Sequence, residues 1–198
     1  MLDRDIKRIF REHRWILTTK LALGAGIHPA QFYALVRSGQ IEKLRRNLYL
    51  WAGAPIDEKY SLIVAQREVP NGVVCLLSAL RFHEITTQAP FEVWITVRRG
   101  TAVPRNPAVG LRVFRSSGPA YHEGIERHRL KGVTIKVYSV ARTIADCFKY
   151  RNRIGLDVAL EALREGSRTH KFTVDELMHY ARVCRVANII RPYAEAIV

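Results

Sequence analysis

Between Thr18 and Gly53 the apolar positions pass from helical to strand spacing, and the rest of the chain is read around that stretch. Thr18 or Thr19 can cap a short helix by accepting backbone N–H bonds. Gly24 and Gly26 end that helix and allow a sharp reversal. Pro29 suits the first turn of a second helix, where its missing N–H costs nothing. Phe32, Leu35 and Val36 then fall on one stripe, and Gly39 closes the helix. After Gly39, Ile41, Leu44, Leu48 and Leu50 are apolar, with Lys43, Arg45, Arg46 and Asn47 clustered among them. Two short strands with a basic tip fit this pattern, and Asn47 suits the tip because Asn tolerates a left-handed backbone. Helix, turn, helix and hairpin together read as a winged helix over residues 1–53.

Before it, Asp3 to Trp15 reads as a helix with Ile6, Ile9 and Phe10 inward. Its outward cations Lys7, Arg8, Arg11 and Arg14 read as a solvated face, with phosphate contact as the alternative. Trp51-Ala-Gly-Ala-Pro55 breaks the pattern and marks a boundary, giving a second domain over 56–198. Helices are predicted there at Asp57 to Glu68 and Val73 to Glu84. Alternation then predicts strands at Phe91–Val97 and Leu111–Arg115, and a hairpin of 124–129 with 133–138 around Lys131-Gly132. These form a small mixed or antiparallel sheet. Three more helices follow: one capped by Ser139, one over Gly155–Glu165, and one opened by the capping box Thr173-Val-Asp-Glu176. In the last of these, Val174, Leu177, Met178 and Ala181 are expected inside. Pro192 marks a kink or a fresh helix start. The predicted fold class is α+β: an N-terminal winged helix-turn-helix, then a mixed α/β domain with C-terminal helices.

Charge sharpens the picture. The formal net charge is +14 over 198 residues, and the first 53 residues carry ten Lys or Arg against four Asp or Glu. Polyanion binding follows, with nucleic acid ahead of a membrane surface. No apolar run approaches the roughly 20 residues of a membrane span. The charged N-terminus lacks a signal-peptide centre, so a cytoplasmic location is expected. Cys75, Cys147 and Cys184 have no zinc-ligand spacing and read as buried free thiols in helical patterns, fitting a reducing compartment.

The base-reading residues expected from the second helix are Gln31, Tyr33, Ala34 and Arg37, with Arg37 the candidate for a guanine. Thr19, Lys20, His28, Lys43, Arg45, Arg46 and Asn47 are the expected phosphate and wing contacts. Arg98, Arg99 and Arg105 make a basic surface in the second domain. No catalytic, metal or cofactor signature is found: GxSxG, GxxxxGK[ST], HExxH and GxGxxG are absent. Asp157 and Glu161 lie one turn apart and read as surface carboxylates paired with Arg153 and Arg164. Asp146 reads as a structural partner of Arg142 or Arg151. His83, His122 and His128 show no evident partner.

In the second domain, LSALRFHEITTQAPFEVWITVRRGTAVPR and GIERHRLKGVTIKVYSVARTIADCFKYRNRIGLDVALEALREG resemble the AbiEi family over roughly Leu77 to Pro192. The TTQ-P segment, the loop spacing and the Ser-x-x-Arg-Thr-x-x-Asp-Cys-Phe run occur together. One departure is Asn47, where a Gly near the wing tip is expected. The resemblance implies an antitoxin and transcriptional autorepressor of a type IV toxin–antitoxin (abortive infection) system. It implies double-stranded promoter DNA with inverted repeats as partner, bound by a monomer or dimer. It also implies a functional link to a nucleotidyltransferase-like toxin. Two alternatives stand beside this: a DNA-processing nuclease or transferase positioned by a winged helix, and an RNA-binding regulator.

Overall fold

The computed structural model describes residues 3–13, 15–54 and 59–196, without the side chains of Asp3 and Arg45. Arg14, Pro55 and Asp57, all named in the sequence analysis, lie outside the described residues. The chain divides into two compact units. One holds residues 1–69 with 103–109 and 129–134; the other holds 70–102, 110–128 and 135–198.

The first unit is built on the order helix, strand, helix, helix, hairpin. Helix α1 (Asp3–Glu12) buries Ile6, Ile9 and Phe10. It stops three residues short of the predicted end, and Trp15 there has φ 68°. Strand β1 (Ile16–Thr18) leads into α2 (Thr19–Gly24), where the Thr18 hydroxyl accepts the Leu21 N–H at 3.2 Å. Helix α3 (Pro29–Arg37) has Pro29 at its first turn and buries Phe32 and Leu35. Strands β2 (Ile41–Arg45) and β3 (Leu48–Trp51) form the hairpin, and β3 also pairs antiparallel with β1. The sheet order is therefore β1-β3-β2. A bulge between Lys43 and Arg45 bends the hairpin just before its tip. Asn47 there has φ 64°, the left-handed conformation expected of it, so the missing Gly is accommodated. Phe10, Phe32, Tyr49 and Trp51 knit helices and hairpin into one core, with Phe32 and Tyr49 edge-to-face at 4.8 Å.

Helix α4 (Tyr60–Glu68) lies beyond the sequence-derived boundary yet groups with this first unit. Its buried Glu68 accepts the Ala108 N–H at 3.0 Å, one tie that brings loop 103–109 into the same unit.

Apart from residues 129–134, which group with the first unit, the second unit holds a five-stranded mixed sheet with helices. Its order is β6-β5-β4-β8-β7, from β4 (Val73–Val74), β5 (Val93–Arg98), β6 (Leu111–Ser116), β7 (Ile125–Leu130) and β8 (Val133–Tyr138). Strand β5 runs parallel to β6, and β4 runs antiparallel to β5 but parallel to β8. The predicted helix from Val73 is corrected by this sheet: Val73 and Val74 pair with Thr96 and Ile95, and α5 (Leu76–Phe82) starts only after them. The β7–β8 turn sits at Lys131 and Gly132, both with positive φ. Helix α6 (Pro119–His122) lies between β6 and β7. Helices α7 (Val140–Lys149), α8 (Arg151–Ile154), α9 (Leu156–Arg168), α10 (Val174–Val183) and α11 (Ala187–Glu195) complete the unit.

Local signals held at the helix starts. Ser139 caps α7, and Thr173 with Glu176 forms the full capping box of α10. Val174 is a correction: it is 43% exposed, because the first turn of α10 precedes its buried contacts at Leu177 and Ala181. Pro192 lies inside α11, within a helix that continues past it. All three cysteines are buried and free, but Cys75 precedes α5 and Cys184 follows α10, so only Cys147 lies within a helix. Among the described residues no helix is long and apolar enough to cross a membrane.

Candidate nucleic-acid interface

Helix α3 buries one side and leaves the other open. At about 100° per residue, Phe32, Leu35 and Val36 share the inner arc, while Ala30, Tyr33, Ala34 and Arg37 share the outer one. The exposures agree: Phe32 and Leu35 are buried, Tyr33 is 46% exposed, and Ala30, Ala34 and Arg37 are exposed. The Tyr33 ring meets the Phe32 ring edge-on at 5.7 Å, which orients it without covering it. Gln31 is different. Its position on the helix falls nearly opposite Tyr33, beside buried Leu35, and it is half-buried. The structure therefore brings Tyr33, Ala34 and Arg37 together and sets Gln31 on the flank. Ala30 completes the open face; sequence reasoning passed over it, although helical spacing to Tyr33, Ala34 and Arg37 would have found it.

The start of α3 carries a second cue. The His28 ring Nδ1 accepts the Ala30 N–H at 3.3 Å and caps the helix. With Nδ1 accepting, Nε2 is the donor nitrogen of the exposed ring. His28 thus has a structural role that the sequence reading did not assign.

Around this helix the predicted wing contacts are available. Lys20, Lys43, Arg46 and Asn47 are exposed, and Thr19 is half-buried at the start of α2. The Thr19 hydroxyl donates to Asn47 Oδ1 at 3.4 Å, tying the first helix of the helix-turn-helix to the hairpin tip. The side chain of Arg45 lies outside the described residues. On α2 only Ala22 is buried, and Leu21 and Leu23 are both more than a third exposed.

The basic surface predicted for the second domain is divided. Arg98 and Arg99 belong to the second unit, and Arg105 belongs to the first, in loop 103–109. All three are exposed.

Within the second unit, Asp146 and Glu161 have structural partners. Asp146 Oδ2 accepts from the Arg142 guanidinium at 2.7 Å, and both side chains are buried. Arg142 also donates to the Ala120 carbonyl at 2.6 Å and lies over the Tyr138 ring at 4.5 Å. Burial alone would lower the Arg142 pKa, but Asp146, Cys184 and Tyr138 raise it above its usual value. The Cys184 thiol, pushed up to about 12 chiefly by burial, donates to Asp146 Oδ1. Glu161 accepts from the Thr87 N–H and hydroxyl rather than simply facing solvent. Two of the histidines read as partnerless are bonded: His83 Nε2 to the Tyr138 carbonyl at 2.8 Å, and His128 to Glu126 at 2.8 Å. The partner of His83 lies 55 residues on at the end of β8, and that of His128 two residues away on the same strand, where helical spacing offers no cue.

Comparison with known proteins bears on both units. Residues 4–51 match the family model of transcriptional regulators described as AbiEi antitoxins. This segment spans α1 to the end of the hairpin, so the resemblance to that family holds for the helix-turn-helix region itself. The whole chain is similar to the crystal structure of the RV2827C protein from Mycobacterium tuberculosis. The TM-score is 0.67 at 12% identity, over 97% of this chain and 76% of that one. At that identity the likeness shows the fold alone. No curated protein matches the sequence.

Proposed function

We propose, from the match of residues 4–51 to AbiEi antitoxin transcriptional regulators, that this protein is a DNA-binding autorepressor. It also serves as the antitoxin of a type IV toxin–antitoxin system. In this reading α3 enters the major groove of promoter DNA, and the hairpin tip lies on the adjacent sugar–phosphate backbone. The second unit contributes to countering a nucleotidyltransferase-like toxin. The role is regulatory and non-catalytic, exercised in the cytoplasm.

The observation that carries the DNA-binding part is the open face of α3. An α-helix such as α3, about 10–12 Å across with its side chains, fits a major groove about 12 Å wide. Its exposed face offers small residues at Ala30 and Ala34, which permit close approach. Tyr33 and Arg37 supply the hydrogen-bonding reach, and Arg37 fits the bidentate geometry of a guanine edge. Lys20, Lys43 and Arg46 supply the sequence-independent attraction to phosphate. Asn47, fixed by its left-handed backbone and by Thr19, sets where the tip rests.

The function is tested by titrating the purified protein against its own promoter duplex, a random duplex and a structured RNA. The autorepressor reading expects the promoter to win by about a thousandfold over random DNA at physiological salt. Equal affinity for the RNA favours the RNA-binding regulator, and equal affinity for both duplexes removes the repressor.

A further inference from the structure

Helix α1 carries a charged face that the winged-helix reading leaves unused. At about 100° per residue, Arg4, Lys7, Arg8 and Arg11 fall within an arc of roughly 100°. That arc lies opposite the buried stripe of Ile6, Ile9 and Phe10, and all four cations are exposed. They line an open groove of about 350 Å³ together with Asp5 and Trp15. Among these six side chains the charge is four positive against one negative.

Trp15 gives the groove its second character. It is half-buried, packing against the first unit's core while also lining the groove. Its backbone lies in the left-handed region, with the N–H bonded to the Phe10 carbonyl at 2.6 Å. Its own carbonyl accepts the Trp51 N–H at 2.9 Å. A residue that closes a helix in this conformation is usually glycine. Here a large ring is fixed at the end of a column of cations.

A row of cations about 10 Å long beside a fixed aromatic ring is the chemistry that holds an unpaired strand: phosphates along the row, a base on the ring. A duplex keeps its base faces stacked inside and presents only edges to a protein. The indole would then have no base to meet. We propose that the α1 groove binds single-stranded nucleic acid, with Arg4, Arg8 and Arg11 on successive phosphates and Trp15 stacked on one base. This site is separate from the α3 face and does not depend on it.

The test uses the full chain and an oligothymidylate of about 12 nucleotides, followed by anisotropy and by tryptophan emission. The wild type is expected to bind with quenched emission. The double variant Arg8→Ala, Arg11→Ala is expected to lose about tenfold in affinity for this strand, with promoter-duplex affinity changed less than about twofold. Both residues are exposed, so the fold is kept. Trp15→Leu is expected to abolish the quenching, and its thermal melt reports separately on folding. Arg37→Ala, which attacks the duplex reading, is expected to leave the single-strand affinity intact, so the two proposals fail independently. Absence of binding to the oligothymidylate, or binding that the double variant leaves unchanged, overturns the proposal. Equal loss on single strand and duplex does the same, since α1 would then add only to the general positive field.

Discussion

The Thr19 hydroxyl donates to Asn47 Oδ1 at 3.4 Å, across 28 residues of sequence. This single bond joins the start of α2 to the tip of the hairpin, the two places that flank α3 in the chain. Asn47 serves twice, because its short amide side chain also tolerates the left-handed φ of 64°. A Gly would satisfy the backbone and lose the bond; a β-branched residue would lose both. Asn47→Gly is expected to melt close to the wild type, whereas Asn47→Val is expected to cost about 1–2 kcal/mol. Thermal denaturation of the two variants side by side checks this. Equal stability of Asn47→Val and the wild type would remove the backbone argument.

The open face of α3 invites a charge probe. Ala34 is exposed near its middle, and Glu is a good helix former, so Ala34→Glu keeps the helix. A carboxylate facing the bases and phosphates is expected to weaken promoter binding by about tenfold or more. Gln31→Glu, on the half-buried flank, is expected to weaken it less. The comparison is read from titrations at one salt concentration. The reverse order would return Gln31 to the reading face.

Arg142 and Asp146 form the most deeply buried ion pair described, with Arg142 only 1% exposed. Removing one partner leaves a charge stranded in the core, so Arg142→Met is expected to destabilise the chain by about 3–5 kcal/mol. Replacing both, as Arg142→Met with Asp146→Leu, is expected to recover much of that loss. Chemical denaturation of the single and double variants measures the coupling. A double variant no better than the single would show that the bond to the Ala120 carbonyl, rather than the pairing, matters.

His83 links stability to pH. Burial lowers its pKa below the usual 6.5, outweighing the bond to the Tyr138 carbonyl, which acts in the opposite direction. The unfolded chain therefore takes up this proton first as pH falls. Stability from neutral His83 is present above the unfolded value and is lost as pH drops toward the lower folded one. The protein is expected to melt at lower temperature at pH 5.5 than at 7.5, and His83→Gln to show a smaller difference. An unchanged difference in that variant would assign the acid sensitivity elsewhere.

What the sequence reveals and what it hides divides along the range of the interactions. Thr18 capping α2, Pro29 at the first turn of α3 and the Thr173–Glu176 box are set by residues within one helical turn, and each is legible. The left-handed Asn47 is legible for the same reason. The two-residue strand Val73–Val74 is not, since it exists only through partners at Ile95, Thr96 and Val137. Equally hidden are the Thr19–Asn47 bond and the contacts of Arg142 with Ala120 and Cys184, which join distant parts of the chain. Gln31 differs for another reason: its polarity points to the open face, but its angle around the helix sets it beside Leu35.

The most direct measurement is the affinity of Arg37→Ala and Arg46→Ala for promoter and random duplexes at two salt concentrations. Arg37→Ala is expected to lose about 1–3 kcal/mol on the promoter and little on random DNA, relaxing one base position. Arg46→Ala is expected to weaken both duplexes alike and to flatten the log–log salt slope by about one. Equal losses on both duplexes for Arg37→Ala, with a salt slope falling as for Arg46→Ala, would contradict a base-reading α3.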